Sequence, residues 1–290
     1  MELKDKKLYY VGGVVRDEIL GVKSIDTDYC YEGNAIEFGL KNFNEHVIKT
    51  NPDFGTIRLR LDGKDIDIAS TREEVYPKAG HLPVVKNIGC SLEADLRRRD
   101  FTINAIAKNT LTGELVDIYD GVSDIKSGIL RVLHDNSFND DPTRIIRALK
   151  FSVRFGFELE EKTKMLQEEY LAHINYDMSY HRLKKELTET FNLNNGIAFD
   201  KFISQGIYKL LNENNNAPEI KGEIIQNAVA NTEFTPWIIY LSFFNTDKLP
   251  LTRQEKRILE EADNIAVRKI TNNTPLESIL ISELKKRVLC

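Results

Sequence analysis

The sequence predicts an α+β protein: a head that mixes strands with helices, followed by an all-helical remainder. Strand-like and helix-like segments alternate up to about Gly128, and a strong β-hairpin signal lies within them. Beyond Gly128 the apolar residues recur only at helical spacing. The chain has 290 residues, enough for two or three small domains. Charged residues make up 29% and hydrophobic ones 41%, an ordinary globular balance. The net charge of −5 argues against a generally basic nucleic-acid coat and leaves room for a local basic groove. Cys30, Cys90 and Cys290 show no metal-binding spacing. No stretch approaches the roughly 18 apolar residues of a membrane span, and no apolar leader opens the chain. A soluble, cytoplasmic protein is expected.

Taken in order, "LYYV" (Leu8 to Val11) is a strand, and two glycines lead from it into a helix over Val14 to Leu20, stopped by Gly21. "DTDYCY" is a short strand, followed by a helix through "AIEFGLKNF". "GTIRLRLDGKDIDIAS" alternates with period two on both sides of Asp62-Gly63, a favoured two-residue turn, and reads as a hairpin. Tyr76 to Gly89 holds two prolines and two glycines and reads as a mobile loop. A helix starts at Ser91 with Glu93 in its first turn, and "ELVDIYDG" is one more strand. In the remainder, "DPTRIIRALKFSVRF" places Ile145, Ile146, Leu149 and Val153 at helical spacing behind Pro142. "HRLKKELTETF" and "RQEKRILEEADNIAV" are further amphipathic helices, and "TPLESILISELKKRVL" opens with a capping-box pattern. "NENNNAP" (Asn212 to Pro218) is a polar loop.

Several residues suggest chemistry. A strand turning through Gly12 and Gly13 into a helix gathers bare backbone N–H groups where a phosphate can sit. Asp26 and Asp28 lie two apart on a predicted strand, so both carboxylates face one side, and such a pair repels unless a cation lies between. Oxygen-only ligation of this kind suits Mg2+. Asp65 and Asp67 alternate on the hairpin's return strand. Asp65 reads as a solvated edge residue. Asp67, flanked by Ile66 and Ile68, faces away from them toward the Asp26 and Asp28 side, where a third carboxylate would complete a two-metal site.

"VGGVVRD", "DTD", "RRRDFTINAIA", "DIYDG" and "DDPTRIIRALKFSVRFGF" occur here in one order. A glycine pair or a DxD alone is common; this ordered set is specific. Over roughly its first two-thirds the chain resembles the class II tRNA nucleotidyltransferase (CCA-adding enzyme) and bacterial poly(A) polymerase family. The resemblance implies a nucleotidyltransferase head over residues 1–128, a helical neck carrying a base-selecting helix over 129–205, and a helical body over 206–290 with a short or absent tail. It implies that Gly13, Arg16 and Arg99 contact the nucleotide and that Asp26 and Asp28 bind metal. Asp117 and Gly121 match a family element read here as a hinge without chemistry.

Asp141 and Arg144 are three apart, neighbours on a helix face. A carboxylate that accepts beside a guanidinium that donates matches the pairing edge of cytosine and of adenine, and opposes that of guanine and uracil. The family is thought to select bases in this way. The plain alternative for Asp141 is a helix cap before Pro142. The resemblance also places nucleotide contacts at Arg147 and Lys150. The family's usual Arg at Lys150 and Glu at Asp140 are replaced here, and a lysine lacks the planar fork. Arg182, Leu183, Glu186 and Leu187 fit the next family motif, with Arg182 and Glu186 expected to brace the base-selecting helix. His134 and Asp135 read as loop residues. The resemblance implies template-independent addition of C and A to a tRNA 3′ end from CTP and ATP, with Mg2+ as cofactor. It also implies that the Tyr76 to Gly89 loop helps the site pass from CTP to ATP. An A-only or CC-only enzyme, a poly(A) polymerase and a catalytically silent RNA-binding relative stay open.

Overall fold

The computed structural model describes residues 3–24, 27–230, 232–265 and 273–288. The chain divides into two compact units, Met1–Asp140 with Glu158–Thr163, and Asp141–Phe157 with Lys164–Cys290. In the first unit the strands are Leu8–Val11 (β1), Tyr29–Tyr31 (β2), Val47–Asn51 (β3), Thr56–Leu61 (β4), Lys64–Ser70 (β5), Arg72–Val75 (β6), Val84–Ile88 (β7), Ala107–Asn109 (β8), Leu115–Val116 (β9), Ile129–Leu130 (β10) and Glu158–Leu159 (β11). The helices that accompany them are Gly13–Leu20 (α1), Ala35–Phe43 (α2), Leu92–Arg97 (α3), Gly121–Ser127 (α4) and Ser137–Asp140 (α5).

Seven strands form one mixed sheet in the order β3-β4-β5-β2-β1-β8-β9. Only β2 and β5 pair in parallel within it; the other neighbours are antiparallel. The period-two pattern decides what each face carries. Leu8, Ile57, Leu59 and Ile68 pack with Ala35 and Phe38 of α2 in one core cluster. Val11, Cys30 and Ala107 pack with Leu92 and Leu96 of α3 in another. Along β4 the buried Ile57, Leu59 and Leu61 alternate with exposed Arg58 and Arg60. Asp62 and Gly63 turn the hairpin with φ of 49° and 76°, both positive as a primed turn requires.

Two expectations need correction. Tyr76 to Gly89 is not all loop. Val84–Ile88 pairs with β6 as a separate two-stranded sheet, in which Val75 faces Val84 and Arg72 faces Ile88. Pro77 and Pro83 fall outside both strands, where no ladder bond needs their missing N–H. The predicted strand "ELVDIYDG" shrinks to Leu115–Val116. Asp117 leaves the sheet because its carboxylate accepts from the N–H groups of Gly121 and Val122, both at 2.8 Å, and starts α4.

The remaining helices are Thr143–Phe155 (α6), Glu161–Ala172 (α7), Tyr180–Phe191 (α8), Gly196–Ser204 (α9), Gly222–Val229 (α10), Pro236–Leu241 (α11), Arg253–Asn264 (α12) and Leu276–Val288 (α13). On α8 the i, i+4, i+8 series Leu183, Leu187 and Phe191 is fully buried. Phe191 meets Phe202 edge-on at 5.2 Å and stacks on Tyr240 at 5.2 Å, a centre to which each buried ring contributes about 1.5–3 kcal/mol. Thr252 and Glu255 form a complete capping box on α12. The last residues of "RQEKRILEEADNIAV", 266–267, lie outside the described residues. Among the described residues no helix is long and apolar enough to cross a membrane.

Gly121 shows how closely the head is packed. A Cβ there would stand 2.3 Å from the Thr102 carbonyl oxygen, a backbone atom with no room to retreat. Gly121→Ala is therefore expected to destabilise the chain by about 1–3 kcal/mol, read as a lowered urea midpoint; an unchanged midpoint would show that α4 shifts freely.

Candidate nucleotide and metal site

The first unit brings together most of the residues that the sequence singled out in its head. β1 ends at Val11, and Gly12 turns the chain into α1 with φ 69° and ψ −128°, a conformation open to glycine. A Cβ on Gly12 would come within 3.0 Å of Arg99 Nη1. The glycine is thus required twice, by its backbone angle and by the guanidinium over it. As N-cap it supplies no side chain, so no side-chain oxygen satisfies the first N–H groups of α1. A helix start left open in this way favours an anion.

Arg16 is buried. Its Nε and Nη2 donate to Asp17 Oδ1 at 2.9 and 2.7 Å, and its Nη1 donates to Asn104 Oδ1 at 2.6 Å. Asn104 in turn donates to Asp100 Oδ1 at 2.9 Å. Arg16 therefore ties α1 to the "RRRDFTINA" segment. Arg99 donates from Nη2 to Asp95 Oδ2 at 3.0 Å and from Nη1 to the Asn104 carbonyl at 3.4 Å, while its buried Nε has no partner among the described residues. Arg98 gives a fork to Asp95 Oδ1 and a further bond to Glu74.

Asp95, Asp100, Asn104 and Asp17 were not picked out from the sequence. The signal was present in their spacing. Asp95 stands three before Arg98 and four before Arg99, and Asp100 stands four before Asn104, both helical-neighbour distances.

The carboxylates stand differently from the expectation. β2 begins at Tyr29, so Asp28 sits one residue before the strand, exposed, with its carbonyl accepting from the Val11 N–H at 3.1 Å. Asp26 lies outside the described residues. The parallel register pairs Tyr29 with Ile68 and Cys30 with Ala69. Carried one residue back, it sets Asp28 at the position beside Asp67. Asp67 is exposed and on the face opposite Ile68. Its two oxygens accept from Arg58 Nε and Nη2 at 2.8 and 2.6 Å, directly across the hairpin. Asp65 pairs in the same way with Arg60.

Among the described residues no three His, Cys, Asp or Glu side chains gather as a metal cluster. Asp28 and Asp67 nevertheless fit a hard cation. Mg2+ keeps several waters and needs only one or two carboxylates, and these two are exposed and fall side by side when the β2–β5 register is carried one residue back.

The second unit holds the base-selecting candidates. Asp141 and Arg144 are both buried. Asp141 Oδ1 accepts from the Thr143 N–H at 3.1 Å and the Thr143 hydroxyl at 2.6 Å, and Oδ2 pairs with Arg182. Asp141 thus carries the capping contacts of the plain alternative and an ion pair besides. Arg147 and Lys150 both pair with Glu186, at 3.2 and 2.7 Å, and Lys150 also reaches Glu189 at 2.7 Å. Arg182 and Glu186 therefore brace α6, while the Lys150 charge is held by two glutamates.

Residues 8–131 match the family described as the Poly A polymerase head domain. Over 165 residues the chain is 42% identical to an A-adding tRNA nucleotidyltransferase of Aquifex aeolicus, covering 55% of this chain and 20% of that protein. Over 206 residues it is 31% identical to a CCA-adding enzyme of Latilactobacillus sakei, covering 69% of this chain and 50% of that protein. A solved structure of the Thermotoga maritima CCA-adding enzyme complexed with tRNA superposes with a TM-score of 0.71 at 28% identity, covering 97% of this chain and 77% of that one. The chain spans between a fifth and a half of the length of the two curated relatives.

Asp95 supplies a pH test. Burial raises its carboxyl, but the Arg99 and Arg98 guanidiniums and their hydrogen bonds outweigh burial and hold it below the usual carboxylate range. A depressed folded value gives stability that is full above the unfolded value, about 3.9, and is lost as pH falls through the folded one. Asp95→Asn is expected to lower stability at pH 7 and to flatten the acid limb of the stability curve below pH 4. Parallel acid limbs for the two proteins would contradict this assignment.

Proposed function

We propose that this chain, whose residues 8–131 match the model of the Poly A polymerase head domain, transfers nucleotides from CTP and ATP to the 3′ end of tRNA and releases pyrophosphate. The observation that carries the reading is the open start of α1 beneath Arg99, with Asp28 bonded through its carbonyl to the Val11 N–H at the end of β1. Backbone N–H groups from Gly13 onward would hold the triphosphate. Arg99 would add its unpartnered Nε–H as a donor, and Arg16, locked by Asp17 and Asn104, would fix the turn. Asp26 and Asp28, with Asp67, would hold divalent cations, Mg2+ by their oxygen-only chemistry. When bound, such cations lower the pKa of the attacking 3′-hydroxyl and offset the triphosphate charge.

Asp141 and Arg144 would read the base, with Arg182 positioning Asp141 and Glu186 positioning Arg147. Lys150, held by Glu186 and Glu189, would act on the nucleotide only by releasing one of them.

A second reading, addition of the terminal A alone, is supported by the 42% identity over 165 residues to an A-adding relative. One experiment tests both: tRNA lacking CCA and tRNA ending in CC are incubated with CTP, ATP, UTP or GTP, and the products are sized. Full CCA synthesis is the expected result. Extension of the CC-ending tRNA alone would establish the A-only reading. Asp28→Ala should abolish incorporation in either case. Arg144→Ala should lose about 1–3 kcal/mol of discrimination against UTP and GTP. Incorporation by Asp28→Ala above a trace would remove the carboxylate assignment. Wild-type base preference in Arg144→Ala would leave α6 a structural helix.

A further inference from the structure

Arg58 and Arg60 form matched pairs on the exposed side of β4 and β5. Arg58 grips Asp67 at 2.8 and 2.6 Å, and Arg60 grips Asp65 at 2.8 and 3.2 Å. As hairpin contacts they are equivalent: cross-strand, two-pronged and about half exposed. Their surroundings differ. Asp67 has Arg58 on its β4 side and, by the parallel register, Asp28 on its β2 side. Asp65 stands two residues before Asp67 on β5, three residues short of Ile68, the first that pairs with β2, where Asp67 is one short.

We propose that Arg58 is a positioning residue that occupies Asp67 as a stand-in cation, so that a divalent ion taken up beside Asp28 must displace or share it. This rests on the reading of Asp28 and Asp67 as metal ligands. Arg58 holds the Asp67 carboxylate on the metal-facing side of the sheet and offsets the repulsion between two adjacent acids. An exposed pair of this kind is weak in water and screened by salt, so exchange with a divalent ion is easy. Removing the guanidinium removes a positive charge that repels the incoming ion. It also frees both oxygens of Asp67 for ligation.

The test is Mn2+ binding to the full chain without nucleotide, followed by the electron paramagnetic resonance signal of free Mn2+. Arg58→Gln should bind Mn2+ about 3- to 10-fold more tightly than the native chain, from the loss of one nearby charge. Arg60→Gln, with the same loss to the hairpin, should bind as the native chain does. Thermal melts of the two variants control for folding, with similar small drops expected. Native affinity in Arg58→Gln, or equal tightening in both variants, would overturn the inference. Asp28→Ala separates it from its premise. Lost Mn2+ binding there, with unchanged binding in Arg58→Gln, removes the inference alone; unchanged binding in Asp28→Ala removes the metal reading as well.

Discussion

The head depends on one buried carboxylate. Asp95 is fully enclosed, and it holds Arg98 through one oxygen and Arg99 through the other. Its Oδ1 also accepts from the Arg72 N–H at 3.1 Å, which fixes the start of β6. Through Arg99 the same residue governs the guanidinium that lies over Gly12. β6 and the α3 segment are thus tied together at Asp95, with Glu74 as a second carboxylate on Arg98 and Arg72. Removing the Asp95 charge costs about 3–5 kcal/mol, because Arg99 keeps its charge and loses its counter-ion while Arg98 keeps only Glu74.

A second constraint is the parallel register between β2 and β5. Two strands that run the same way need a crossover, here α2 followed by β3 and β4, which join the sheet themselves, while α2 covers one of its faces. The opposite face is covered by α3 around Cys30 and stays open along β4 and β5, where Arg58, Arg60, Asp65 and Asp67 stand in water. The open helix start of α1 and the carboxylate positions belong to this same first unit.

Much of this was legible in the sequence. The glycine turn, the α2 helix and the Asp62-Gly63 hairpin follow from local rules, because each is fixed by residues a few positions apart. What was not legible depends on distant partners. β7 forms because β6 offers it a ladder, and a run such as "VVKNIG" does not announce its partner. The "DIYDG" strand shrinks because Asp117 finds the N–H groups of Gly121 and Val122. Asp28 drops off the strand end, which period-two reasoning cannot resolve to one residue. Asp95 carries a signal in its i+3 and i+4 spacing to Arg98 and Arg99, but a helical acid is usually solvated, and its burial is what sets this one apart.

The proposed function places a metal-bound triphosphate at the bare start of α1 and at the Asp28 and Asp67 positions. The most direct measurement is a crystal structure of the full chain with Mn2+ and a CTP analogue that cannot be cleaved, using the anomalous signal of manganese. The account predicts manganese within ligand distance of Asp28 and the triphosphate on the N–H groups that follow Gly12. Manganese and phosphates bound elsewhere on the chain, with the α1 start bare and Asp67 still gripped by Arg58, would contradict it.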